Sequence, residues 1–173
     1  MLNIALLTFL SLVVGIFIAR FVKEELVSGK KYFVFLYKLV IFAILLLSLF
    51  YAWYAQIPHL IFGFIAGVLI SFAISNIYFY LGGLFLLGFW EHDMYFDLLV
   101  VLIFIVGLLR GMFVGEKYSK YGQYIKKVII SGIFFAIPFF MIYYRTLVLP
   151  IDNTIYAFIS GAIFMEFIKK LDL

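Results

Sequence analysis

The chain has 173 residues, of which 68% are hydrophobic and 13% are charged, and its mean hydropathy is +1.23. Soluble domains carry about 25% charged residues, so this composition excludes an ordinary water-soluble fold and predicts an all-α polytopic membrane protein. The sequence has no cysteine, which excludes disulfides and thiolate metal sites. Its net charge of +4 comes from cations beside apolar spans, so we expect the lipid bilayer and not nucleic acid as partner.

Apolar stretches of nearly spanning length follow one another along the chain. A spanning helix needs about 20 mostly apolar residues. Charged segments at 24–33 (EELVSGKKYF) and 116–125 (EKYSKYGQYI) and proline turns at 56–59 and 149–153 separate the stretches. The predicted helices outside the ambiguous segment 59–90 cover residues 3–22, 33–54, 97–114, 126–147 and 154–168.

Residues 59–90 allow two interpretations, because they are 32 residues without a charged side chain. A single helix would be about 48 Å long, well beyond the ~30 Å hydrocarbon core. Two helices would have about 15 residues each, with the turn at Ser75 and Asn76. The first interpretation gives six spans and the second gives seven.

The distribution of cations favours the seven-span interpretation. With six spans, six lysines and arginines lie on one side and seven on the other. With seven spans, twelve lie on one side and one on the other. The positive-inside rule favours the second arrangement. The first cation, Arg20, follows the first span, so we expect a plasma-membrane protein with its N-terminus outside.

The two halves of the sequence share an order of landmarks that indicates an internal repeat of two three-helix units. Each half reads as span, basic segment, span, proline turn and short span. The predicted units are residues 1–75 and 93–173, with residues 76–92 as a linker helix or a helix extension. The units are parallel or inverted, and the charge distribution favours parallel. The matching positions include Val14/Val106, Gly15/Gly107 and Pro58/Pro150 at offset 92, and Phe64/Phe158 and Gly67/Gly161 at offset 94.

Small residues spaced four apart predict close contacts between helices, since they let two backbones approach. The candidates for helix packing are Gly63, Gly67, Gly107, Gly111, Gly115 and Gly161.

Asn76 is the strongly polar side chain within the uncharged segment. Polar groups at membrane depth need partners, so Asn76, with Ser71 and Ser75 nearby, is a candidate for a solute pathway. If the segment forms a hairpin, Asn76 is the turn instead.

Charged residues near the span ends have simpler interpretations. Arg20 and Arg110 are candidates for contact with lipid headgroups. Glu166 precedes Lys169 and Lys170 at helical spacing, which predicts a local ion pair. We expect no metal and no cofactor, because no metal-ligand spacing is present. The weak metal candidates are His59, His92, Asp93 and Asp97.

A transporter-like or channel-like protein for a small solute or ion is the first functional hypothesis, because internal repeats recur in transporters. The alternatives are a non-catalytic scaffold or subunit of a membrane complex, and a membrane enzyme acting on lipid headgroups. The sequence has no phosphate-binding loop, nucleophile elbow or HExxH motif, and we assign no catalytic residue. A homo-oligomer or a membrane partner subunit is compatible with all three hypotheses.

Overall fold

The computed structural model describes residues 2–53, 55–91, 95–118, 121–143 and 153–169, and most of these residues are helical. Helices α1, α3, α6 and α7 are long and apolar enough to cross a bilayer, and α4, α5 and α8 are shorter apolar helices. The protein is therefore an α-helical membrane protein. The described elements are α1 (Leu2–Phe21), α2 (Lys23–Ser28), α3 (Lys30–Ala52), α4 (Ile57–Ala73), α5 (Ile77–Glu91), α6 (Phe96–Lys117), α7 (Tyr121–Tyr143) and α8 (Thr154–Ile168).

The uncharged segment 59–90 is divided into two helices. Helix α4 ends at Ala73 and α5 begins at Ile77, with three non-helical residues between them. The Asn76 side chain caps α5, because its Oδ1 accepts a hydrogen bond from the Tyr78 backbone N–H at 3.1 Å. The interpretation as one long helix is therefore wrong, and the break lies where Ser75 and Asn76 predicted a turn.

Glycine contacts show that α1 and α6 run parallel. Added Cβ atoms would meet Leu108 at Gly15 and Ala19 at Gly115, so residue numbers rise together along both helices. Helices α4 and α8 are parallel for the same reason, since Gly63 lies against Thr154 and Gly67 lies against Phe158.

Helix α3 runs opposite to α6 and α8. The Tyr37 hydroxyl bonds to Glu166 near the end of α8, whereas Tyr51 stacks on Tyr156 near its start. The rings of Tyr37 and Phe113 lie 6.0 Å apart near the end of α6.

Helix α5 also runs opposite to α6 and is parallel to α7. Phe85 packs against Phe96 at the start of α6 and against Phe139 in the second half of α7. Gly82 lies against Phe135, one turn earlier in α7. The seven apolar helices among the described residues therefore alternate in direction along the chain.

Alternation brings the basic segments together at one end of the bundle. Lys30 Nζ lies 3.0 Å from Glu116 Oε1, which joins the two charged segments quoted from the sequence. Arg20 at the end of α1 donates a hydrogen bond to the hydroxyl of Tyr124 at the start of α7. We call this the basic end, and among the described residues it carries Arg20, Lys23, Lys30, Lys31, Lys117, Lys126, Lys127 and Lys169.

Large apolar side chains cover the exterior of the bundle. Phe62 and Phe72 on α4 and Phe140 on α7 are each more than two-thirds exposed. Such a surface is compatible with lipid hydrocarbon and unfavourable in water. Pro138 lies inside α7, where it removes one backbone donor but where membrane helices tolerate proline.

Candidate functional site

A cavity of about 420 Å³ opens at the basic end, between the α4–α5 break and helices α6 and α7. Its volume falls within the range of small-ligand sites, roughly 300–1,000 Å³. Apolar residues, including Leu12 of α1 and Phe113 of α6, form the remaining walls. We call it the Arg110 cavity, and its polar lining consists of Ser75, Asn76, Tyr78, Arg110, Lys117, Tyr118, Lys127 and Ser131.

The charged side chains that line this cavity are all cationic. Arg110, Lys117 and Lys127 contribute three positive charges, and no carboxylate is among the described residues that line the cavity. Glu166 lies behind Arg110 and compensates one of them. Cationic and hydrogen-bonding groups together are the chemistry that binds carboxylates and phosphates.

A buried network holds Arg110 in position. Its Nη1 donates to Glu166 Oε1 at 2.6 Å and to the Tyr37 hydroxyl at 3.0 Å. The Tyr37 hydroxyl in turn donates to Glu166 at 2.9 Å. The three side chains come from α6, α8 and α3, so the network joins three helices. Both described bonds of Arg110 use Nη1, which leaves Nε and Nη2 for other acceptors.

Tyr78 supplies a polar atom that the described part of the protein does not satisfy. The residue is 3% exposed, and its hydroxyl has no hydrogen-bond partner among the described residues. Its ring lies 5.8 Å from the guanidinium carbon of Arg110. A buried hydroxyl without a partner costs about 1–3 kcal/mol.

The structure separates the three residues predicted for a solute pathway. Ser75 and Asn76 line the cavity because the helix break that they form closes one of its sides. Ser71 is buried one turn earlier, and its hydroxyl bonds to the Val68 carbonyl at 2.7 Å within α4. Ser71 therefore does not line the cavity.

The two arginines predicted at lipid headgroups have different surroundings. Arg110 faces inward to Glu166 and lines the cavity. Arg20 lies in the last turn of α1, with its guanidinium carbon 5.1 Å from the centre of the Tyr124 ring.

The glycines predicted for packing lie at helix contacts. On α6, added Cβ atoms would meet α1 at all three positions, for example Ser11 at Gly107 and Leu12 at Gly111. Gly63, Gly67 and Gly161 lie in the contact of α4 with α8.

The weak metal candidates do not form a cluster in the described part of the chain. His59 lies in the first turn of α4, and Asp97 lies in the first turn of α6. His92 and Asp93 are outside the described residues. No group of three histidine, aspartate or glutamate side chains suitable for a metal ion occurs among the residues that the structure describes.

Several site residues escaped the sequence analysis. The structure pairs Glu166 with Arg110 in a different helix, whereas Lys170, one of its two predicted local partners, lies outside the described residues. One signal was present: Arg110 and Glu166 are each a charged residue inside an apolar span, and such charges pair with one another. Tyr37 and Tyr78 carried no signal, since tyrosine is abundant throughout this sequence.

Comparisons of the chain with family models, with curated proteins and with solved structures each give no match.

Proposed function

We propose that this protein is a small transporter-like membrane protein that binds an anionic solute in the Arg110 cavity. The observation that carries the proposal is a lining that includes three cations and, among the described residues, no carboxylate. A break between two apolar helices forms part of the same cavity. Broken helices at a ligand site are a recurring feature of transporters.

The position of Arg110 also supports solute binding. It precedes Lys117, the last residue of α6, by two turns, or about 10 Å along the helix axis. The guanidinium is therefore set back from the basic end, where an arginine that only contacts water or headgroups would gain most from extending outward. Its pairing with Glu166 keeps it inside the bundle.

We further propose seven crossings of the plasma membrane, with the N-terminus outside and the basic end on the cytoplasmic side. The alternating helix directions and the shared position of Lys30 and Glu116 support an odd number of crossings. The excess of cations at that end supports the orientation.

Two parallel three-helix units are the arrangement we propose for the halves of the bundle. Contacts between α4 and α8 support it because they are reciprocal. Gly67 lies against Phe158, and their counterparts at offset 94, Gly161 and Phe64, make the same contact. A two-fold relation between equivalent helices produces such reciprocity.

Binding and flux of inorganic phosphate test the proposed function. We expect phosphate to bind the full chain in nanodiscs of neutral lipid, and Lys127→Gln to weaken binding about fivefold, or ~1 kcal/mol. Lys126→Gln is the matched control, because this neighbouring exposed lysine is not part of the cavity lining. Proteoliposomes containing the protein should take up labelled phosphate or butyl phosphate faster than empty liposomes.

Two results would overturn the proposal. If the two lysine variants weakened phosphate binding equally, the positive potential of the whole basic end, and not the cavity, would attract phosphate. Absence of both binding and flux would remove the anion site and leave the scaffold or subunit hypothesis and the lipid-headgroup enzyme hypothesis.

A further inference from the structure

The hydrogen bonds of Arg110 use only one of its three guanidinium nitrogens. Nη1 donates to Glu166 at 2.6 Å and to the Tyr37 hydroxyl at 3.0 Å. Both partners lie deeper in the bundle, since the Glu166 side chain is 9% exposed and Tyr37 is 1% exposed, against 28% for the Arg110 side chain. The Nε–Nη2 edge of the guanidinium makes no hydrogen bond to a described residue, and Arg110 lines the cavity.

The Nε–Nη2 edge has a specific shape as a donor. Its two N–H groups point in parallel, so they match two oxygens that share one carbon or phosphorus atom. A halide ion offers a single acceptor atom and cannot form such a pair of parallel bonds. A lysine ammonium carries the same charge as arginine but lacks the planar pair of donors.

Asn76 is a second group of the lining whose remaining hydrogen-bonding capacity is as a donor. Its Oδ1 accepts from the Tyr78 backbone N–H at 3.1 Å, where it caps α5. The side-chain amide therefore has its NH₂ group left for a ligand. Asn76 and Arg110 line the same cavity, so both offer N–H donors to an oxygen-bearing solute.

From these contacts we infer that the solute of the Arg110 cavity is an oxyanion, a carboxylate or a phosphate, bound through two of its oxygens by the Nε–Nη2 edge. Glu166 and Tyr37 are the positioning residues, because they hold Nη1 and turn the opposite edge toward the cavity. The inference rests on the proposed anion site and names its substrate class.

Binding of acetate and of bromide to the full chain in nanodiscs of neutral lipid tests this selectivity. The two ions carry the same charge, so a general positive potential would not distinguish them by charge. We expect acetate to bind about fivefold more tightly than bromide, because only acetate accepts two parallel bonds. Comparison of acetate with inorganic phosphate then shows which of the two oxyanions the cavity prefers.

Two variants of the lining separate the shape of the donor from its charge. Arg110→Lys keeps the charge and removes the Nε–Nη2 edge, so the affinities for acetate and bromide should become equal within about twofold. Lys127→Gln removes a point charge, so it should weaken the binding of both ions and preserve the preference for acetate.

A pair of substitutions tests the positioning role of Glu166. Glu166→Gln and Glu166→Ala remove the same charge, but glutamine retains an oxygen that can accept from Nη1. We expect the preference for acetate over bromide to survive in the glutamine variant and to fall about threefold in the alanine variant. A residue that only stabilised the bundle would not change this preference.

A measurement on the unaltered chain reports directly on the Arg110 edge, whether or not the variants fold. The sequence has three arginines, Arg20, Arg110 and Arg145, so arginine labelled with ¹⁵N at Nε gives few signals. Arg20→Lys and Arg145→Lys identify the other two. We expect phosphate and acetate to shift the Arg110 Nε signal, whereas bromide at the same ionic strength should not.

The outcomes distinguish the two proposals. If the Arg110 Nε signal does not shift while phosphate binding still depends on Lys127, the inference is overturned and the anion site is retained. Equal binding of acetate and bromide by the unaltered chain would also overturn it. Equal preferences in the two folded Glu166 variants would contradict the positioning role. If no anion binds in a manner dependent on Lys127, the proposed function fails and this inference fails with it.

Discussion

At the scale of single residues, the hydroxyl groups of Tyr37 and Tyr78 have opposite roles. Both side chains are buried in the bundle and both lie near Arg110. The Tyr37 hydroxyl accepts from Arg110 and donates to Glu166, so its hydrogen bonds hold an ion pair across three helices. The Tyr78 hydroxyl has no such bond in the described structure.

Tyrosine-to-phenylalanine variants distinguish these roles. We expect Tyr37→Phe to lower the free energy of unfolding by about 2 kcal/mol, because hydrogen bonds to charged groups contribute about 1.5–3 kcal/mol. Tyr78→Phe should leave stability unchanged or slightly raise it, because its hydroxyl makes no hydrogen bond in the described structure. Reversible unfolding by SDS in mixed micelles measures both effects. Equal destabilisation by both variants would show that the Tyr78 hydroxyl has a structural role.

At the scale of helices, glycine determines which pairs approach closely. Lipid hydrocarbon gives apolar helices no hydrophobic reason to associate, so packing and small residues decide the contacts. Gly67 and Gly161 let the backbones of α4 and α8 meet, and Gly15 and Gly111 do the same for α1 and α6. These two parallel pairs hold the α4–α5 break and the inner wall of the cavity in place.

Alanine at Gly67 tests this packing. The added methyl would overlap the Phe158 carbonyl oxygen, a backbone atom that moves only if α8 moves. We expect Gly67→Ala to destabilise the protein by about 1–3 kcal/mol. Gly122→Ala is the control, since nothing lies within 4 Å of its added methyl, and it should be neutral or slightly stabilising. Unfolding by SDS measures the stability of both variants, and equal stabilities would contradict the packing argument.

At the scale of the whole molecule, the direction of the helices determines which end of the bundle carries the basic segments. Because α4 and α5 are separate antiparallel helices, each later helix runs in the direction opposite to the one it would have if residues 59–90 formed a single helix. As a result, the segments around Lys30 and Glu116 meet at one end of the bundle. The same reversal brings Asn76, Lys117 and Lys127 to one cavity.

Thiol labelling in intact cells tests the topology, because the chain has no native cysteine. With the basic end in the cytoplasm, Ser28→Cys and Gly122→Cys should react with an impermeant maleimide only after permeabilisation. Gln56→Cys, at the opposite end of α3, should react in intact cells. Labelling of positions 28 and 122 from different sides would contradict the shared basic end. Labelling of both in intact cells would reverse the orientation that we propose.

Hydrophobic length and charge determined much of this protein without its tertiary structure. They predicted a helical membrane protein, most helix positions to within a few residues, and a turn at Ser75 and Asn76, because these features depend on local composition. Only the tertiary structure decided that Arg110 pairs with Glu166, that Tyr78 lies buried beside it, and that Lys117 and Lys127 share its cavity. Those residues lie in four helices, and contacts between helices depend on backbone approach at particular glycines. Which helices come into contact depends on how whole helices pack in three dimensions, and no single stretch of the sequence encodes it.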